Sequence, residues 1–182
     1  MDFVRAMSVS VRGTFALGIH IVEYPRSRMV KMCFESNEVL EYQYEHEFMG
    51  LCTLLAEDLN LAVSGGNDFK VAVHNLRTGD VLNVFDLQVR GIRSLLRLGS
   101  VLSVGGANGK IKMLDLMSRK EVPTDQIVVE GEITCMSVGR GRSKKSGKKG
   151  LFLLVGELNT SNMITVEVPH DIAKNGSGNA SL

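Results

Sequence analysis

Apolar residues along this chain fall into short runs separated by Gly, Asn, Asp and Ser, which is the pattern of strands and turns. Runs at 51–55, 92–96, 133–138, 151–156 and 163–168 show it clearly. Residues 71–73 and 151–155 are apolar at consecutive positions, which predicts strands covered on both faces. Asn67-Asp68 and Asn108-Gly109 suit tight hairpins, because these residues tolerate left-handed backbone angles. No segment combines helical apolar spacing with a cap and a stop. The predicted class is all-β.

The runs recur. The pairs Gly65-Gly66 and Gly105-Gly106 lie 40 residues apart, and Val71 and Ile111 keep that offset. The apolar segments upstream of each pair are offset by 41, and a third copy starts 41 residues later at 133–138. That copy resumes at 151–156 and 163–168, so the glycine-containing basic stretch 140–150 reads as an insertion between two strands. A looser copy precedes the others at 4–9, 15–21, 29–34 and 39–44, with a longer link between Gly18 and Met29 that holds Pro25. The predicted units are approximately 1–47, 48–89, 90–130 and 131–169, followed by a polar tail, 170–182, expected to be disordered. Pro123 is placed in the outermost strand of the third unit, an edge where a missing amide donor is tolerated.

Units of about 40 residues with four short strands are the mark of propeller blades. The segment 64–79, with Ser64, Gly65, Gly66, Asn67 and Asp68, resembles the WD40 repeat, and 108–116 resembles it again. His74 or Leu114 stands where that family carries its signature tryptophan, and no Gly-His pair precedes the first strand of a unit. The resemblance therefore implies that the hydrogen-bonded tetrad bracing many such blades is absent or incomplete here, with Ser64 and Asp68 the residues matching it. WD40 rings usually hold about seven units of ~40–45 residues. Four imply a partial or open ring, either the carboxy-terminal part of a larger propeller or one completed by another chain. A closed four-bladed ring is the second expectation. The first unit begins at an inner strand and the last ends one strand short, near Val168, so the outer closing strand is unaccounted for.

Composition adds limits. The chain has 182 residues, 44% hydrophobic and 23% charged, with 19 Gly, no Trp and a net charge of +1. That suits a globular domain and excludes a collagen-like or disordered chain. No apolar run is long enough to span a membrane as a helix, and the first residues lack the unbroken core of a secretory signal. Cys33, Cys52 and Cys135 form no closely spaced pair, which points to a reducing, intracellular compartment, cytoplasmic or nuclear. His20, His46, His74 and His170 fall in different units with no metal-ligand spacing, so neither metal nor cofactor is expected. No nucleophile or acid–base set emerges, so no catalytic residue and no enzyme is expected. The run from Gly105 to Lys110 looks like a phosphate loop but has Val104 and Ile111 where glycine and Ser or Thr belong.

One local feature stands apart. Arg140, Arg142, Lys144, Lys145, Lys148 and Lys149 hold six of the 21 basic residues, and without them the net charge falls from +1 to −5. Such a loop contacts phosphate backbones in a salt-dependent way, although it lacks interleaved aromatics for stacking bases. It also matches a nuclear-import signal. The leading expectation is a noncatalytic protein-interaction scaffold, a subunit of a larger complex. Loops on a rigid frame would meet a protein or peptide. The resemblance places Asn67, Asp68, Arg90, Ala107 and Asn108 on one rim of that frame. The alternative is a ribonucleoprotein component that holds RNA through the 140–149 loop.

Overall fold

The computed structural model describes residues 6–123, 127–143, 147, 149–158 and 163–168. It divides into two compact units, the first ending at Ile92 and the second starting at Arg93. Both are built from antiparallel sheets, with a single 3-10 turn at Glu57–Leu59 as the helical element among the described residues.

The first unit holds two four-stranded sheets. One is β1 (Met7–Val9), β2 (Phe15–Glu23), β3 (Arg26–Cys33) and β4 (Val39–His46), and the other is β5 (Gly50–Ala56), β6 (Leu61–Gly66), β7 (Lys70–Asn75) and β8 (Val81–Asp86). In each, strand order follows chain order. The long link expected between Gly18 and Met29 is itself strand: β2 and β3 run on as a hairpin that pairs Glu23 with Arg26 around Tyr24-Pro25. Every residue of β6 is buried, as are Val71 to His74 of β7, so both faces of this hairpin are covered as expected. The side facing the first sheet packs Ala62 and Leu76 against Leu17, Met29 and Tyr42. Each of these larger buried side chains contributes on the order of 2 kcal/mol of transfer free energy. The Tyr42 hydroxyl donates to the Leu76 carbonyl at 3.0 Å, which satisfies the one polar atom this cluster buries. Gly65 is required by close approach, since a Cβ there would come within 2.6 Å of Ile92 Cγ2 and 3.0 Å of Cys52 Sγ.

In the second unit, β9 (Ile92–Leu98, continuing from the first), β10 (Val101–Gly106) and β11 (Lys110–Asp115) form a sheet. Its outer strand is broken into β12 (Lys120–Glu121) and β13 (Ile127–Val128), both paired with β11. The Val122 amide still donates to the Met113 carbonyl at 2.8 Å, and at Pro123 the missing N–H falls on the outer side of the sheet. Pro123 lies just beyond β12 and not within a strand. The last sheet is β14 (Ile133–Arg142), β15 (Lys149–Glu157) and β16 (Met163–Glu167). Ile111, Met113, Ile133, Leu153, Val155 and Val168 share one core in this unit.

Two expectations change here. Residues 151–155 were expected to be covered on both faces, yet Leu151, Leu153 and Val155 face the core, and Phe152 and Leu154 stay half-buried on the other side. The basic stretch is not wholly a loop, because β14 and β15 extend into it, pairing Arg140 with Leu151 and Arg142 with Lys149. Ladder hydrogen bonds are made by backbone, so glycine and arginine can continue a strand that carries no apolar signature.

The hairpin turns also differ from the expectation in one respect. The left-handed residue of the β10–β11 turn is Gly109 (φ 72°), but its counterpart in the β6–β7 turn is Phe69 (φ 65°), not Asn67 or Asp68. A left-handed bulky residue costs about 1–2 kcal/mol, which Phe69 evidently bears. At Gly109 a Cβ would in addition overlap the Val129 carbonyl oxygen. Gly109→Ala is therefore expected to cost about 3 kcal/mol, angle and overlap together, read as a shift of the urea midpoint at unchanged slope.

Candidate functional site

The first unit contains a buried polar array that joins its two sheets. His46 ends β4, and its ring lies between the β6–β7 turn and β6 itself. Its Nδ1 is 2.9 Å and 3.0 Å from the two carboxylate oxygens of Asp68, and its Nε2 is 2.9 Å from Ser64 Oγ. Because the carboxylate only accepts, Nδ1 carries the proton. Nε2 and the Ser64 hydroxyl share the second hydrogen bond. Asp68 also accepts from the Glu47 and Lys70 amides at 3.3 Å and 3.4 Å and from the Tyr44 hydroxyl at 3.4 Å. Burial alone would raise the Asp68 pKa. The hydrogen bond and charge of His46, with the amides, outweigh it and hold the carboxyl below its usual value. Burial, with Asp68 beside it, pushes the Tyr44 hydroxyl upward.

Sequence and geometry meet at Gly66. A Cβ there would stand 2.6 Å from His46 Nδ1 and 2.7 Å from Asp68 Oδ1, so only glycine lets the ring approach. The arrangement has the atoms of a Ser-His-Asp hydrolase triad, but Ser64 is 1% exposed and His46 0%. A substrate carbonyl has no route to that hydroxyl, so the array is a brace. Forty residues on, Val104 and Asn108 occupy the positions of Ser64 and Asp68, and the second copy of the repeat cannot form it.

His74 lies beside the array with the edge-to-face geometry of a packed aromatic, 5.1 Å from the Tyr42 ring and 6.4 Å from that of Tyr44. Neither of its buried nitrogens is in hydrogen-bonding geometry with a partner. Burial, helped by His46, depresses its pKa to about 4, against the opposing effect of the Gly79 backbone. Cys52 is a packed thiol, pushed up to about 12 by burial.

The expected rim residues are placed unevenly. In the first unit Asn67 and Arg90 are exposed, whereas Asp68 turns inward to His46. In the second unit Asn108 is exposed and Ala107 half-buried. No group of three or more His, Cys, Asp or Glu that could hold a metal occurs among the described residues. No helix among them is long and apolar enough to cross a membrane.

The second unit carries a cleft of about 720 Å³ on the last sheet, lined along β14 from Gly139 to Ser143, on β15 by Phe152 and Leu154, and on β16 by residues 165–167. Arg140, Arg142 and Lys149 are exposed there, and Lys144, Lys145 and Lys148 lie outside the described residues, as does the tail 170–182. The Ser143 hydroxyl, itself buried, donates to Glu167 Oε2 at 2.8 Å and fixes one end of the wall.

Comparison with known proteins decides what these sheets are. No protein-family model matches the sequence, and no curated protein matches it. Solved structures do match. The computationally designed protein Ika4 superposes with a TM-score of 0.73 at 15% identity, covering 93% of each chain. The structures of U3-55K and of the RRP9 WD40 repeats each superpose with a TM-score of 0.66 at 11% identity over 92% of this chain. The fold is that of WD40 repeats. The chain spans 52% of the length of those two WD40 neighbours. Ser64 and Asp68, the two residues that resemble the family's tetrad, are bridged here by His46, and His74 packs beside them. His46 was missed because a preceding glycine was sought, and here Glu45 precedes it. The usable signal was a histidine shortly before an inner strand, whatever its neighbour.

Proposed function

We propose that the protein is a noncatalytic interaction scaffold, a WD40 family member acting as a subunit of a larger complex, with blades near 1–47, 48–89, 90–130 and 131–169. The observation that carries this reading is an uncovered apolar face on the first sheet. Register puts Met7, Val9, Met32 and Val39 on the same face of β1–β4, and they are 68%, 53%, 46% and 54% exposed. Lone exposed apolar residues are ordinary, but a contiguous set on one sheet face marks a contact surface. A further blade, from upstream sequence or from another chain, has the chemistry to cover it. Peptide-binding loops would be those bearing Asn67, Arg90, Ala107 and Asn108, with Asp68 serving from within to hold its turn. The three free cysteines support an intracellular setting, cytoplasmic or nuclear.

Light scattering behind size exclusion tests the face. A mass above the 19.9 kDa of one chain, rising with concentration, is expected. Met32→Lys with Val39→Lys should return it to a single chain at unchanged circular dichroism. A wild type that stays at one chain's mass at every concentration would remove this face as an interface.

A second reading is favoured by the β14–β15 hairpin, which displays Arg140, Arg142 and Lys149 and carries six basic residues within 140–149. It supports contact with the phosphate backbone of RNA.

A further inference from the structure

Among the described residues that hold a left-handed angle without being glycine, Phe69 is the one large apolar side chain; Asn37, Asn60, Gln88 and Arg119 are polar. Forty residues on, the same position of the repeat is Gly109, which takes that angle without steric cost. The β6–β7 turn therefore carries a strain that its geometry does not require. Burial does not fully offset it, since Phe69 is 41% exposed. Strain kept where glycine would serve points to a functional side chain.

Phe69 does not stand alone. Four aromatic residues are exposed among the described residues, and Tyr24, Phe48 and Phe69 lie at one end of the first unit's sheets, with Phe34 at the opposite end of β3. Hydrogen bonds join the three segments. The Asn67 amide donates to the Met49 carbonyl at 2.9 Å, and the Ser27 hydroxyl, near the hairpin tip that bears Tyr24, donates to the Phe48 carbonyl at 3.3 Å. Charge at this end is biased. Glu47, Asp68 and Asp86 all lie close enough to Tyr44 to help raise its hydroxyl pKa, and Lys70 is paired with Glu47 at 3.3 Å. Arg26 is likewise held by Glu23 and Glu45, and Arg90 follows on the 87–91 link, so carboxylates outnumber cations here. Over residues 1–92 the sequence holds 12 acidic and 8 basic residues, which extends the bias to the whole unit.

We infer that Phe69 and Phe48, with Tyr24 beside them, anchor a basic segment of a partner protein, its Lys or Arg stems packed on the rings and its charges facing Glu47 and Asp86. This rests on the peptide-binding loops proposed above and adds to them the anchoring side chains and the charge of the ligand. Exposed rings in a patch supply a large share of a contact's affinity, and a cation over a ring face is attracted by its quadrupole. The excess of carboxylates favours a cationic segment and disfavours phosphate backbones and acidic peptides.

The test pans the full chain against a random library of short peptides displayed on phage, then titrates the enriched peptides, fluorescently labelled, by anisotropy. Enriched peptides should combine Arg or Lys with apolar residues, and their affinity should fall as salt rises from about 50 to about 200 mM. Phe69→Gly should weaken them roughly 10- to 30-fold, and Phe48→Ala should weaken them in the same direction. Glu47→Gln with Asp86→Asn should also weaken them and flatten the salt dependence. The urea midpoint of Phe69→Gly should stay at or above that of the wild type, because relief of the angle offsets the lost partial burial. A fall in that midpoint would assign the ring to the fold's own packing and overturn its role as an anchor. Enrichment of acidic peptides, or binding within about twofold of wild type in both Phe69→Gly and Phe48→Ala, overturns the inference. If Asn67→Ala or Arg90→Ala still costs affinity in that case, the loop reading above stands without it. A library that yields no binder removes both.

Discussion

Asp68→Ala is expected to cost about 3 kcal/mol of stability, since several buried donors lose one charged acceptor. The loss does not come from the carboxylate's own contacts alone. His46 would keep its Nδ1–H in a site it cannot leave, and the Glu47 and Lys70 amides would lose their acceptor. For a chain of this size the melting temperature should fall by roughly 10 °C. Ser64→Ala removes a single hydroxyl and should cost about 1 kcal/mol. The order of effects follows burial and hydrogen-bond number, so Asp68 outranks Ser64. The acid limb carries a second signature. The folded Asp68 pKa lies below its ordinary 3.8, so its contribution is whole above that value and is lost as pH falls through the folded one.

His74→Phe should stabilise the protein and flatten its pH dependence. The unfolded ring takes up a proton near pH 6.5, whereas the folded ring stays neutral until about 4. Between those values the unfolded chain binds the extra proton, so stability falls as pH drops and levels off below the folded pKa. The shift corresponds to about 3 kcal/mol across that window. Phenylalanine fills nearly the same volume, keeps the edge-to-face contact with Tyr42, and removes two buried nitrogens that make no well-formed hydrogen bond. A gain of about 1–2 kcal/mol at pH 7 is expected by urea unfolding, with the decline between pH 6.5 and 4 largely gone. A decline that persists unchanged in the variant would place the titrating group elsewhere. Since Asp68 acts only below its ordinary pKa, the two windows do not overlap.

These two residues show why the site was only partly legible. Ser64 and Asp68 sit four positions apart in one hairpin, so their resemblance to the WD40 pattern was visible in the sequence. His46 is brought to them from the preceding sheet, and nothing in its own neighbours marks it. Phe152 is the same case on the other surface. Read along the chain it belongs to an apolar run that suggested burial on both faces, and only the pairing with Gly139 and Glu167 puts it on the face turned away from Leu153 and Val155.

What the amino-acid order determined by itself was the all-β class, the roughly 40-residue recurrence and the place of the strands. Alternation, turn residues and repeat offsets are local or periodic properties, and each can be read without knowing what packs on what. The tertiary structure decided the rest: that β14 and β15 run on through the basic stretch, that β11 pairs with two short outer strands, that Asp68 faces inward, and that the first and last sheets each keep an uncovered face. Backbone pairing is indifferent to side-chain hydrophobicity, and hydrogen bonds between distant residues depend on which surfaces meet. Those outcomes belong to the assembled sheets and not to any one segment of the chain.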